Sequence, residues 1–234
     1  MFNNDGVVRT SLCENLVPPD GVINTIKPVG ISSFSFMRQV QRKLNIKKVG
    51  HLGTLDPNAC GVLVLLCGKA TKLNQQLSGG TKVYRSVFTF GIETETLDLS
   101  GKTSTMSDII PDFEQVLGAL PTGEVEIQVP KFSAVHINGK RAYDLARKGI
   151  DFTPPTKTVT IHRFELLKQI AKNKFWVEIE CQTGTYVRSL AKLVATRLGT
   201  VAIASSILRT RVGEFDISTA KCLRDVKAGD IIPI

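Results

Sequence analysis

Two hydrophobic periods interleave along this chain, and no single kind of element satisfies both. From Lys82 to Phe90 the side chains alternate, so Tyr84, Ser86, Phe88 and Phe90 share one face of a strand. Met37, Val40, Gln41 and Leu44 follow the i, i+3, i+4, i+7 spacing of a helix face, behind the capping hydroxyls Ser32 and Ser33. A second helix is expected from about Thr185 to Leu198, with Val187, Leu190, Ala191, Val194 and Leu198 inward and Gly199 as its stop. Val62 to Cys67 is a continuous apolar run, the pattern of a strand buried on both faces. Further strands are expected over 22–26, 157–167 and 174–181, the last two joined near Ala171-Lys172-Asn173. Val135-His136-Ile137 runs into Asn138-Gly139, a turn pair. Short connections of this kind pair strands antiparallel. The fold class is therefore α+β, a mixed and largely antiparallel sheet with flanking helices.

Shorter helices are expected through Leu73 and Leu77, ending at Gly79-Gly80, and from Arg141 to Lys148, capped by Gly149. Another opens at Pro111 with Phe113, Val116, Leu117 and Leu120 inward. Residues 1–20 are polar, end in Pro18-Pro19, and read as an N-terminal tail.

Charge narrows the partners. The 30 Lys and Arg exceed the 21 Asp and Glu, for a net charge of +9, which suits a polyanion such as RNA. Charge alone does not separate that reading from a simply basic surface. The cations are not scattered, however. Arg38, Arg42 and Lys43 share the exposed face of the first helix, and Lys47-Lys48 extends the patch towards His51, a track for phosphates. The five cysteines are odd in number and contain no C-x-x-C pair, which argues against a disulfide framework and a structural zinc site. No apolar run is long enough to span a bilayer, and no signal segment is visible. The expected setting is cytoplasmic, without a membrane partner.

The chemistry concentrates in Gly50-His51-Leu52-Gly53-Thr54-Leu55-Asp56-Pro57. Two glycines and a proline confine one carboxylate in a tight turn. Such an Asp either bonds its own backbone as a turn-former or is aimed at a ligand. A carboxylate at that place could attack or stabilise an electron-poor sugar carbon, or move a proton. Tyr84 reads equally as a core aromatic or as a stacking platform for an unstacked base.

Taken together, five segments resemble the TruB family of tRNA pseudouridine synthases. They are Lys27-Pro28-Val29-Gly30-Ile31-Ser32-Ser33; the Asp56 loop; Lys82-Val83-Tyr84-Arg85 continuing through Gly91, Thr94, Thr96, Asp98 and Gly101; Gln128 to Ala134 with Asn138 to Tyr143; and Gly184-Thr185-Tyr186-Val187-Arg188-Ser189-Leu190. They follow in order over about residues 22–215. Where the family usually has a second proline this chain has Lys131, and where lysine is common it has His136.

The resemblance implies isomerisation of uridine 55 in the tRNA T-loop. The base is flipped out, its C1′–N1 bond is cut, and the base rejoins through C5, with neither cofactor nor metal. It implies Asp56 as the catalytic carboxylate, Arg188 as its ion-pair partner, and Tyr84 as the residue packed on the target base. His51 would enter the T-loop, and Lys27 would hold the site's floor or bind phosphate. Ile207 or Leu208 would supply an apolar contact to the base, while Arg38 and Arg42 would bind the RNA backbone. With 19 residues after Phe215, the expectation is one catalytic domain over 21–234, acting as a monomer, without the C-terminal RNA-binding module of many relatives. Two other functions fit the same residues: a tRNA-folding chaperone without chemistry, and pseudouridylation of another RNA stem-loop.

Overall fold

In chain order, the elements that carry the architecture are β1 (Gly21–Lys27), α1 (Ser33–Lys43), β2 (Val49–His51), β3 (Ala59–Cys67), β4 (Thr81–Phe90), α2 (Phe113–Ala119), β5 (Gly123–Gln128), α3 (Ala142–Arg147), β6 (Thr156–Ala171), β7 (Lys174–Gln182), α4 (Val187–Arg197), β8 (Ala202–Val212) and β9 (Lys221–Cys222). The structure, a computed structural model, describes residues 20–137 and 139–234. The expected tail and the turn residue Asn138 thus lie outside the described residues, apart from Asp20. That carboxylate accepts a 2.8 Å hydrogen bond from the Lys69 backbone N–H.

The sheet runs β9-β1-β3-β8-β4-β7-β6-β5, with β2 paired beside β3. Only β1/β9 and β3/β8 are parallel; the other neighbours along this path are antiparallel. The expected mixed, largely antiparallel α+β class is the one observed. As the unbroken apolar run required, β3 is covered on both sides. Leu63 and Leu65 pack with Ile23, Phe36 and Val40 under α1, while Val62, Val64 and Leu66 pack with Val22, Leu52 and Val212 on the opposite face. Farther along the sheet, Phe88, Phe90, Phe175, Val177 and Ile179 meet Leu190, Ala191 and Val194 of α4. The alternation along β4 holds, and each of its four expected side chains is buried.

Three expected elements shift, and one strand is added. α4 begins at Val187, because the Thr185 hydroxyl instead donates to the Gln182 carbonyl and closes the turn after β7. α2 begins at Phe113 behind Asp112, which forms a capping box with Gln115. Phe113, Val116 and Leu120 face the core as expected, Ala119 joins them, and Leu117 is 46% exposed. Over residues 68–77 a 3₁₀ segment leads into a single α-helical turn instead of one short helix. β8 was not foreseen as a strand, yet it sits at the centre of the sheet between β3 and β4.

Candidate active site

The loop carrying Asp56 is the short link between β2 and β3, and it is pinned from three directions. From α1, Ser32 caps the helix by accepting from the Ser35 N–H, which frees Ser33 for another task. The buried Ser33 hydroxyl accepts from the Leu55 N–H at 2.8 Å and donates to the Leu55 carbonyl at 2.9 Å. From β1, the fully buried Lys27 ammonium donates to the carbonyls of Pro28, Ile31 and Pro57 at 2.7, 2.8 and 3.4 Å. From β8, the fully buried Arg209 donates to the carbonyls of Val62, Gly53 and Thr54 at 2.8, 3.1 and 3.4 Å. A loop with its carbonyls held by two buried cations and its apex by a serine presents its carboxylate in a fixed direction.

Arg188 meets that carboxylate. Its Nε lies 2.8 Å from Asp56 Oδ2, with the N–H out of line, so the contact is a charge pair rather than an aligned hydrogen bond. The two terminal nitrogens of the guanidinium do not grip the carboxylate. Nη1 donates to the Thr96 carbonyl at 2.7 Å and Nη2 to the Phe132 carbonyl at 3.1 Å. The pair is unequally buried: the Arg188 side chain is 3% exposed and the Asp56 side chain 35%. The arginine is thus built into the wall, and the carboxylate faces the opening.

The Thr96 carbonyl is itself held. Asp98 Oδ1 accepts from the Thr96 hydroxyl at 2.6 Å and from both the hydroxyl and the N–H of Ser100 at 2.6 and 2.9 Å. Burial alone would raise the Asp98 pKa. Those hydrogen bonds and the charge of Arg188 outweigh it and leave the carboxyl below its ordinary value. A Cβ at Gly101 would lie 2.5 Å from Thr96 Oγ1, so the turn closes only around glycine. This explains the Thr94-Thr96-Asp98-Gly101 spacing: it is a bracket for the arginine.

Between these walls lies a cavity of about 270 Å³, lined by Asp56, Arg188, Tyr84, Ile207, Lys82 and Tyr186 among others. Four of the expected site residues therefore meet: Asp56, Arg188, Tyr84 and Ile207. Leu208 does not line the cavity, since alternation along β8 turns it to the other face. Lys27 does not line the cavity, and its ammonium is taken up by three carbonyls, one of them that of Pro57 next to Asp56. His51 is half-buried on β2 rather than exposed, and does not line the cavity. Its pKa is lowered, first by burial and then by the Arg209 charge. Arg38 and Arg42 are exposed on α1 outside the cavity, and Lys43 is tied to the carbonyls of Leu223 and Arg224. Burial raises the Tyr84 pKa, with Arg209 opposing it, so the phenol keeps its proton at neutral pH. Arg209 and Lys82 went unassigned by sequence reading. The one signal for Arg209 was its place directly after Ile207-Leu208.

Residues 41–187 match the family model described as TruB family pseudouridylate synthase (N terminal domain). The chain belongs to the TruB family. It is 39% identical over 211 residues to tRNA pseudouridine synthase B of Alkaliphilus oremlandii, covering 89% of this chain and 70% of that protein. It is 41% identical over 214 residues to tRNA pseudouridine synthase B of Syntrophobacter fumaroxidans, covering 90% and 70%. Among solved structures, a chain in a Cbf5-Nop10-Gar1 complex superposes with a TM-score of 0.69 at 28% identity, covering 89% of this chain and 54% of that one. The chain thus spans about half the length of that structural relative. The matched segment of this TruB family member contains the Asp56 loop and Tyr84 and ends at Val187, the first residue of α4. Arg188 follows immediately, and Ile207 and Arg209 come from a strand beyond the matched stretch.

Proposed function

We propose that this protein isomerises uridine to pseudouridine at position 55 in the T-loop of tRNA. The observation that carries the reading is the 2.8 Å contact between Arg188 Nε and Asp56 Oδ2, with the arginine buried in the wall and the carboxylate facing a small cavity. The names of the relatives support the substrate class, tRNA.

A cavity of about 270 Å³ has room for a single nucleotide, so the uridine must leave its stack to enter it. Tyr84 and Ile207 offer the base an aromatic and an apolar surface, and Asp56 stands at the more open end, where the ribose would lie. The carboxylate serves C1′, either as nucleophile or by taking a ribose proton, while the C1′–N1 bond opens and the base turns to present C5. Lys27, Ser33 and Arg209 hold the loop still through that exchange. The reading takes residues 21–234 as the catalytic domain, acting as a monomer in the cytoplasm.

The test is Asp56→Asn, a nearly isosteric change, incubated with unmodified tRNA and mapped for pseudouridine. Conversion at the T-loop by the parent and none by the variant, with tRNA affinity retained, supports the assignment. Full turnover by the variant would remove it. Binding without conversion by the parent would identify a folding chaperone, and conversion elsewhere a different RNA substrate.

A further inference from the structure

We infer that Lys82 donates a hydrogen bond to a carbonyl oxygen of the flipped uracil and steadies the negative charge that gathers there as the C1′–N1 bond opens. The inference rests on the proposed function. It starts from an ammonium group that the fold leaves largely unsatisfied. Lys82 is 7% exposed, lines the same cavity as Asp56, and donates to Thr183 Oγ1 at 2.8 Å, its one hydrogen-bond partner among the described residues. An ammonium has three donors, so two remain to face the cavity. Lys27 makes the contrast, since its three donors are taken by three carbonyls. Burying a cation without a partner is unfavourable, and such a group is retained where a ligand completes it.

The surroundings keep the ammonium in place. A Cβ at Gly53 would stand 2.7 Å from Lys82 Nζ, so glycine there leaves the space that the head group occupies. The charged and titratable groups around it are the Arg209 guanidinium, the Lys157 ammonium and the Cys181 thiol. Burial first, then Arg209, brings the Lys82 pKa down to about 8, with Lys157 acting in the same direction and Cys181 against it.

Depth in the cavity selects the acceptor. Asp56 is 35% exposed at the mouth, whereas Lys82 and Tyr84 are 7% and 6% exposed and lie two residues apart on one strand face. With the ribose against Asp56 and the base against Tyr84, the Lys82 head group meets the base, and the phosphates stay outside. When C1′–N1 breaks, the electron pair leaves with the base, and its charge spreads from N1 onto the carbonyl oxygens. C5 then bonds to C1′ and gives up its proton, N1 takes one up, and the net change is an isomerisation. A fixed donor aimed at those oxygens favours the charged intermediate over bound uridine.

The experiment is single-turnover conversion of unmodified tRNA by the parent and by Lys82→Met, with tRNA affinity, melting temperature and a pH–rate profile from 6 to 9. The expected result is a rate constant lower by about 100-fold for the variant, the scale of one lost oxyanion donor. Affinity should hold within about threefold, since the loss is confined to the bond-breaking step. The melting temperature should be equal or higher, because an uncompensated buried charge is gone. The parent's rate should fall as pH rises through about 8, and that alkaline limb should be shallower in Lys82→Met, where Lys27 alone still titrates there. An unchanged rate constant overturns the inference. So does a weaker affinity with a shallower salt dependence at unchanged rate, which would make Lys82 a phosphate anchor. The parent's profile needs no variant, and its lack of a limb near pH 8 would overturn the inference even if Lys82→Met folded poorly. A parent inert on every uridine would end the proposed function and this inference with it.

Discussion

Arg188 shows how a local cost is resolved by tertiary partners. It sits in the first turn of α4, where the helix dipole disfavours a cation. The Thr96 and Phe132 carbonyls and the Asp56 carboxylate offset that penalty together. Arg188→Lys retains the charge but reaches at most one or two of these three partners. We expect a loss of about 1–3 kcal/mol in stability from the carbonyl left without a donor. Turnover should fall by about 100-fold, with tRNA affinity nearly unchanged, because the carboxylate is no longer held in register with C1′. Thermal melts and single-turnover assays on the same preparation check both parts, and a lysine variant with normal turnover would remove the ion pair from the mechanism. The arginine's place in the helix could be read from the sequence. The division of its donors could not, since Thr96 and Phe132 lie 92 and 56 residues away and offer only backbone oxygens.

At the scale of elements, the sequence disclosed those with an unbroken pattern, the alternating β4, the helical α1 and α4 and the apolar run of β3, and hid the one whose pattern is interrupted. α1, β4 and α4 carry clean patterns and were placed to within a few residues. β8 carries Ser205-Ser206 and Arg209-Thr210-Arg211 among its apolar residues, so neither period stands out. Yet β8 brings Ile207 into the cavity and Arg209 beneath the loop. Its parallel pairing with β3 sets Arg209 opposite Gly61, and a Cβ at Gly61 would lie 2.1 Å from the Arg209 carbonyl oxygen. Gly61 also holds φ +110°, a conformation that L side chains rarely adopt. Gly61→Ala should therefore force β8 away from β3 and lower stability by about 3 kcal/mol or more, the combined scale of backbone strain and lost packing. Chemical denaturation would measure it, and a change below about 1 kcal/mol would mean that the strands part without strain. Ser33→Ala tests the link between α1 and the loop. It leaves both polar groups of Leu55 without their buried partner and should cost about 1–3 kcal/mol. It should also slow turnover, because Leu55 directly precedes Asp56.

Across the whole molecule, positive charge divides into a buried set and an exposed one, and the two answer to different variables. The buried set is Lys27, Lys82, Arg188 and Arg209, around the loop that carries Asp56. The exposed set includes Arg38, Arg42, Lys47 and Lys48, while Lys43 is committed to carbonyls near the end of the chain. If those four side chains each neutralise a phosphate, log affinity for tRNA should fall with log salt at a slope of about −3. Replacing Arg38 and Arg42 together should bring the slope nearer −1.5, and an unaltered slope would place the RNA on another surface. The buried set responds to pH instead. Burial lowers both Lys27 and Lys82 from 10.5 to about 8. Between those values the unfolded chain binds more protons than the folded one, so stability rises with pH from about 8 upward. Cys67 and Cys181 act in the opposite sense: burial raises each from 9.0 to about 11, so the folded chain keeps protons that the unfolded chain releases. Their contribution falls as pH rises from 9 towards 11. The melting temperature should therefore climb between about pH 7.5 and 9 and level off above it. In Lys82→Met the climb should shrink by about half, since only Lys27 still drives it. A melting temperature that falls steadily over that interval would mean that these ammonium groups are not held in the desolvated positions the fold gives them.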